Sequence, residues 1–248
     1  MTEQKTETNT TGEEETVSPF SRFRDIIPGE QLADVEVTII GAGGIGAPVA
    51  YSLAKMGVHK MHIWDPDVIN EENMGPQMYG PRHIGTFKVD ALKNFLRGQA
   101  PWCNVTVHKE LYTEASSTNS PVVIAALDSL DARKGVWKTI DHDVCKLFVD
   151  PRMGAEVLTI LSVIPNEDAK WYEPTLEGEA LEAKCTAKST FHCGQIAGNM
   201  AAREVKAWLV GERSLVEYTI DLRHLAILGD DQEMRHARHA AEVAAAAE

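Results

Sequence analysis

Two rhythms of apolar and polar positions alternate along the chain. Short β-branched apolar runs are followed by stretches whose apolar residues recur every three or four positions, the signatures of buried strands and one-sided helices. "VEVTIIG" (35–41) predicts a strand, "GIGAPVAYSLAKMG" (44–57) a helix and "KMHIWD" (60–65) a second strand. "GTFKVDALKNFLRGQAP" (85–101) predicts a helix with a proline stop, and "NVTVHKELY" (104–112) a third strand with period-two alternation. "PVVIAALD" (121–128), "SLDARKGVWKTIDHDV" (129–144) and "KLFVDPR" (146–152) continue the series as strand, helix and strand. Such alternation predicts an α/β fold: a Rossmann-like, mostly parallel, doubly wound sheet.

The rhythm changes after residue 152. "EVLTILSVI" (156–164) predicts a strand with no helix behind it, the start of an antiparallel extension. Residues 165–189 form an acidic stretch expected to be irregular, and long irregular connections in compact domains are often functional. A helix over 190–211 and a strand over 214–222 follow, and then an Ala-rich end without a strong apolar stripe. The expected organisation is a disordered acidic tail over 1–18, one nucleotide-binding domain over 19–228 and a loosely attached segment over 229–248.

Composition narrows the classes. The 248 residues carry a net charge of −13, which disfavours nucleic acid as a partner because phosphate repels an acidic surface. No apolar run approaches the ~20 residues that span a bilayer, and the N-terminus lacks the apolar core of a secretory signal. A soluble, cytoplasmic protein is expected, with no membrane partner. Cys103, Cys145, Cys185 and Cys193 are scattered singly, so a two-knuckle zinc site and a disulfide framework are both disfavoured.

The first candidate chemistry lies between the first strand and helix. Gly41, Gly43 and Gly46 fit G-x-G-x-x-G. In that pattern the first glycine permits the tight turn, the second lets backbone N–H groups approach phosphate, and the third lets helix pack on strand. The helix N-terminus adds a partial positive charge. Asp65 ends the second strand, where a carboxylate accepts ribose hydroxyls. These features suit NAD and ATP alike.

The next stretch separates the two. "DPDVINEENMGPQMYGPRHIGTFKVDAL" resembles the E1-like activating enzymes of the ThiF/MoeB/HesA type, whose pattern is Asp-x-Asp, then Asn-x-x-Arg-Gln, then Gly-x-x-Lys. The matching positions are Asp65, Asp67, Asn73, Gln77, Gly85 and Lys88, and a further mark, Asp then Arg after the fourth strand, appears as Asp128 and Arg133. The resemblance covers about residues 22–209 and implies ATP- and Mg²⁺-dependent adenylation of the C-terminal glycine of a ubiquitin-like or sulfur-carrier protein ending in Gly-Gly. It further implies that Asp65 holds ribose, that Gly41, Gly43, Gly46, Asp67, Asn73, Gln77 and Lys88 serve the nucleotide, and that Asp128 serves both ATP and Mg²⁺. Family members are mostly homodimers. The physical demands agree: a cation over the phosphates, a carboxylate near the metal and polar anchors, none of which hydride transfer requires.

This chain departs from the pattern at Pro76, where the family has the Arg that helps hold the β- and γ-phosphates. Loss of a charge-assisted phosphate contact is costly unless replaced. The candidates are Arg82, Arg152, and, reaching across a dimer, Arg22 or Arg24. Family members also use a cysteine in a mobile crossover loop to capture the activated acyl group. Cys185, beside Lys184 and Lys188 and just before a helix, is the candidate, whereas Cys193, Cys103 and Cys145 are expected to be buried. Two other readings stay open: a catalytically inactive ATP-binding relative, which would explain Pro76, and an NAD(P)-dependent oxidoreductase, which would leave Lys88 and Asp128 without a task.

Overall fold

The structure, a computed structural model, describes residues 18–23, 25–27, 29–116, 120–177 and 190–246. After a short helix α1 (Gly29–Asp34), the strands β1 (Glu36–Ile40), β2 (Lys60–Trp64), β3 (Asn104–His108), β4 (Val122–Ala125) and β5 (Leu147–Gly154) form the parallel part of the sheet. Strands β6 (Val157–Val163), β7 (Glu217–Asp221) and β8 (Ala226–Asp230) extend it antiparallel beyond β5. The order is β3-β2-β1-β4-β5-β6-β7-β8. Because β2 and β4 flank β1, the chain reverses its winding direction there, and the crevice at the strands' C-terminal ends is where open α/β sheets bind ligands.

Strand alternation divides two cores. Val37, Ile39, Met61, Ile63, Ile124 and Val149 face one side, under α2 (Gly46–Met56), α3 (Lys88–Gln99) and α6 (Phe191–Leu209). Ile40, Val123, Ala125 and Phe148 face the other, with Trp137 of α4 (Leu130–Thr139) and with Trp171 and Tyr172 of α5 (Pro165–Tyr172). Helix α6 lies close against α2 because its inward stripe is small. A Cβ on Gly198 would come 2.6 Å from Pro48 Cβ, and one on Gly194 would come 2.5 Å from the Gly44 carbonyl oxygen.

The fold class follows the expectation, with local differences. The third strand ends at His108 because its partner β2 ends at the opposing Trp64. The helix expected over 129–144 ends at Thr139, where Asp141 turns the chain by accepting the N–H groups of Asp143 and Val144. The expected irregular stretch 165–189 begins as helix α5 and a 3-10 helix, Glu173–Leu176, while residues 178–189 lie outside the described residues. Pro165 at the first turn starts α5, and burial of Trp171 and Tyr172, both fully buried, holds it. Trp171→Ala is therefore expected to cost about 3–5 kcal/mol in urea unfolding. A loss under about 1 kcal/mol would mean that α5 is not part of the core.

The C-terminal end is tied in by charge rather than by an apolar stripe. Helix α7 (Gln232–Ala246) sets Arg235 2.6 Å from Glu217 and 5.3 Å from the Trp171 ring, and Arg238 2.6 Å from Asp230. The boundary expected after residue 228 falls inside β8. Among the described residues no helix is long and apolar enough to cross a membrane.

Candidate active site

The chain leaves β1 through the glycine turn directly into α2. Gly41 has φ +99°, and a Cβ there would lie closer than 3.0 Å to the Ala126 carbonyl oxygen. A Cβ on Gly46 would collide with the Gly41 carbonyl. Gly43 differs: among the described residues a Cβ there would meet only Gln77 Nε2, at 3.8 Å. The first and third glycines answer to the protein's own backbone, whereas the second leaves a gap. Ile45, the N-cap of α2, makes no side-chain cap hydrogen bond, which leaves the partial positive charge of that helix end available to an anion.

Asp65, buried at the end of β2, fastens the turn. Its Oδ2 accepts the Ala42 N–H at 2.7 Å and its Oδ1 accepts the Asp67 N–H at 2.8 Å. Burial raises its pKa above the usual carboxylate value, opposed by the Ala42 hydrogen bond and by the nearby Lys88 charge. Lys88 opens α3 with its ammonium Nζ 2.6 Å from Asp67 Oδ2. Its side chain is 9% exposed against 62% for Asp67, so the cation is held from the protein side by a carboxylate that reaches into solvent.

The connection between β2 and α3 wraps the turn. Asn73 closes a 3-10 helix, Glu71–Asn73, with its Oδ1 accepting the Asn70 N–H at 3.0 Å. Gln77 places its amide nitrogen beside Gly43, and its Oε1 is buried without a hydrogen-bond partner among the described residues. Pro76, the departure from the family pattern, lies against the same turn, its carbonyl oxygen 3.3 Å from where a Gly44 Cβ would stand. Tyr79, which sequence reasoning passed over, donates its hydroxyl to the Ala42 carbonyl at 2.6 Å. Burial pushes its pKa well up, so it acts as a neutral tether. An aromatic residue amid glycines and prolines was its only signal.

Across the turn, the Ala126 N–H donates to the Ile40 carbonyl at 2.8 Å, so the end of β4 lies beside the glycines. Asp128 follows two residues later with its side chain exposed. The contacts thus join Gly41, Gly43, Gly46, Asp65, Asp67, Gln77 and Lys88 into one group, with Asn73 at its rim and Asp128 on the neighbouring strand end.

The other candidates separate. Arg152 makes four hydrogen bonds, two to Asp150 Oδ2 at 2.9 and 2.7 Å and two to Thr175. Arg82 is exposed in the 3-10 helix Pro81–His83, and its Nε lies 3.3 Å from Nε2 of its neighbour His83. Arg22 is exposed, and Arg24 and Cys185 lie outside the described residues. Cys103, Cys145 and Cys193 are buried as expected, and burial pushes the first two up to a pKa of about 12. Arg133 is buried rather than facing the crevice, and it donates to the carbonyls of Ala125 (2.7 Å), Leu127 and Pro151 (3.1 Å).

A doubly wound sheet with a G-x-G-x-x-G turn after its first strand and an acid at the end of the next defines a Rossmann-like α/β protein. The chain belongs to the ThiF family, whose sequence profile matches residues 25–242. It is 32% identical over 107 residues to the NEDD8-activating enzyme E1 catalytic subunit of Dictyostelium discoideum, a match covering 42% of this chain and 24% of that protein. It is also 32% identical over 99 residues to the adenylyltransferase and sulfurtransferase UBA4 of Eremothecium gossypii, covering 36% of this chain and 22% of the other. The chain therefore matches about a quarter of these relatives' length. The crystal structure of E. coli MccB with ATP superposes with a TM-score of 0.66 over 86% of this chain and 71% of that one, at 14% identity, a likeness of fold.

Proposed function

We propose that this chain adenylates the C-terminal carboxylate of a ubiquitin-like or sulfur-carrier protein ending in Gly-Gly, using ATP and Mg²⁺. One carboxylate oxygen of the carrier attacks the α-phosphorus of ATP, the bond to the β-phosphate oxygen breaks, and pyrophosphate leaves with that bond's electron pair. The observation that carries this reading is the buried Lys88 ammonium, held on Asp67 beside the glycine turn. Pyrophosphate departure needs such a cation, and hydride transfer does not.

The residues present fit the nucleotide. The gap at Gly43 and the unpartnered Gln77 Oε1 leave room and a hydrogen-bonding group where the turn meets the crevice. Asp65 would receive ribose, Asn73 and Gln77 would orient the nucleotide, and Lys88 would offset phosphate charge. Among the described residues there is no group of three or more His, Cys, Asp or Glu that could hold a metal ion. That suits Mg²⁺ arriving on phosphates and meeting one carboxylate, Asp128. When bound, Mg²⁺ supplies charge shielding of the phosphates. With Arg152 engaged on Asp150 and Thr175, the proposed substitutes at Pro76 are Arg82 and, from a second copy in a homodimer, Arg24. Cys185 is proposed as the acyl acceptor after adenylation: its thiolate attacks the acyl carbon, the bond to the phosphate oxygen breaks, and AMP leaves with that bond's electron pair.

A nucleotide-binding relative that does not adenylate is the second reading, favoured by Pro76 at the turn. Thermal stabilisation by Mg·ATP, NAD⁺ and NADP⁺, followed by ATP–pyrophosphate exchange with Gly-Gly-ended carriers, separates the readings. Adenylation predicts a shift with Mg·ATP alone and carrier-dependent exchange, and acyl transfer to Cys185 further predicts a covalent, thiol-sensitive carrier–enzyme adduct that Cys185→Ala removes. A shift without exchange for any carrier supports the non-adenylating relative, and a shift with NAD⁺ alone overturns both.

A further inference from the structure

The strand end that carries Asp128 is anchored from behind by a buried ionic relay that the adenylation reading does not use. Asp150, fully buried on β5, takes four donor groups on two oxygens. The Arg133 guanidinium binds Oδ1, and on Oδ2 it receives the Arg152 fork at 2.9 and 2.7 Å and the Tyr172 hydroxyl at 2.9 Å. Arg133 in turn holds the carbonyls of Ala125 and Leu127, the backbone immediately before Asp128. Arg152 continues the relay in the other direction, to the Thr175 carbonyl and hydroxyl, both at 2.9 Å. A buried guanidinium, Arg133, and a partly buried one, Arg152, thus share one carboxylate. One grips the loop of Asp128, and the other grips the 3-10 helix that follows α5.

We propose that Asp150 is a positioning residue for Asp128, acting through Arg133, and that Arg152 serves this relay rather than a phosphate. The inference rests on the reading of Asp128 as the carboxylate that meets nucleotide-bound Mg²⁺. An exposed aspartate on a loop meets a metal ion in one place only if its backbone is fixed. Arg133 fixes two carbonyls of that backbone, and Asp150 neutralises its charge in a buried setting where an unpaired guanidinium would be costly. Tyr172 on the same carboxylate, and Thr175 through Arg152, tie in α5 and the 3-10 helix after it, so the loop's position is set by the packing of α5 as well.

Asp150→Asn keeps the shape and removes the charge. The apparent Mg²⁺ concentration for half-maximal exchange should rise about tenfold, as it does when groups behind a metal ligand are lost. Excess Mg²⁺ should restore most of kcat. A purely structural role predicts a lower Tm, with the Mg²⁺ half-saturation unchanged within about twofold, and that result overturns the proposal. Should Asp150→Asn fail to fold, Tyr172→Phe removes a single bond to the same carboxylate and is expected to raise the half-saturation about threefold, an unchanged value again overturning it. Mn²⁺ binding followed by electron paramagnetic resonance, with a non-hydrolysable ATP analogue, gives a readout independent of turnover. If the parent chain binds Mn²⁺ with the analogue but exchanges no pyrophosphate, the adenylation reading fails, and weaker Mn²⁺ binding in Asp150→Asn still supports the relay. If the parent binds no Mn²⁺ with the analogue, the relay proposal falls as well.

Discussion

In Lys88→Ala, ATP–pyrophosphate exchange is expected to fall about 10²–10³-fold while the protein stays folded. The ammonium is the charged donor at the glycine turn, and loss of one donor aimed at developing charge in a water-poor site has about that effect. The fold should tolerate the change, because the lost partner, Asp67, is more than half exposed and water takes over its carboxylate. The Lys88 backbone keeps its place, since its N–H donates to the Asp67 carbonyl at 2.9 Å whatever the side chain. Thermal stabilisation by Mg·ATP should shrink in parallel. Lys88→Arg is not expected to rescue fully: a larger, planar guanidinium does not occupy the space of a compact ammonium gripped at 2.6 Å. Exchange in Lys88→Ala within about threefold of the parent rate would remove Lys88 from the site and leave its ion pair with Asp67 as ordinary helix anchoring.

Much of this site was legible before the structure because its parts sit at element boundaries. Gly41, Asp65 and Asp128 each follow an apolar strand, and a parallel sheet brings strand ends to one edge. The resemblance to the activating enzymes then gave Lys88 and Gln77 their meaning, which their residue types alone did not. What escaped was held by tertiary contact. Residues 165–177 read as an acidic loop because Glu167, Asp168, Glu173 and Glu177 dominate the stretch. Yet Asp168 is buried, taking the Ile164 N–H at 2.8 Å, the Trp171 indole at 3.0 Å and the Arg213 guanidinium at 2.6 Å. A buried carboxylate looks the same in one dimension as a solvated one. Arg152 failed as a simple reading for the same reason. Its place at the end of the predicted strand 146–152 suggested a phosphate contact, whereas Arg152 lies inside β5, bonded to Asp150 and Thr175.

The three glycines of the turn, alike in the motif, are expected to separate when each is changed to alanine. Gly41→Ala and Gly46→Ala should each destabilise the fold by more than about 4 kcal/mol, enough to prevent soluble expression of a marginal domain. At Gly41 an added Cβ meets the Ala126 carbonyl oxygen while φ stands at +99°, so strain and collision add. At Gly46 the Cβ would collide with the Gly41 carbonyl, and relief would require α2 to move off β1. Both obstacles are backbone atoms, which cannot rotate away as side chains do. Gly43→Ala faces neither: among the described residues its Cβ would find only the Gln77 amide, at 3.8 Å, ordinary contact distance. That variant should unfold within about 1 kcal/mol of the parent. It should nevertheless lose most of its stabilisation by Mg·ATP, because the methyl group would fill the gap through which phosphate reaches the turn. Urea unfolding and ligand-dependent Tm, measured on the same three variants, give the two quantities independently. If Gly43→Ala keeps full nucleotide stabilisation, phosphate does not lie on this turn. If Gly46→Ala folds normally, the approach of α2 to β1 is looser than its backbone contacts imply.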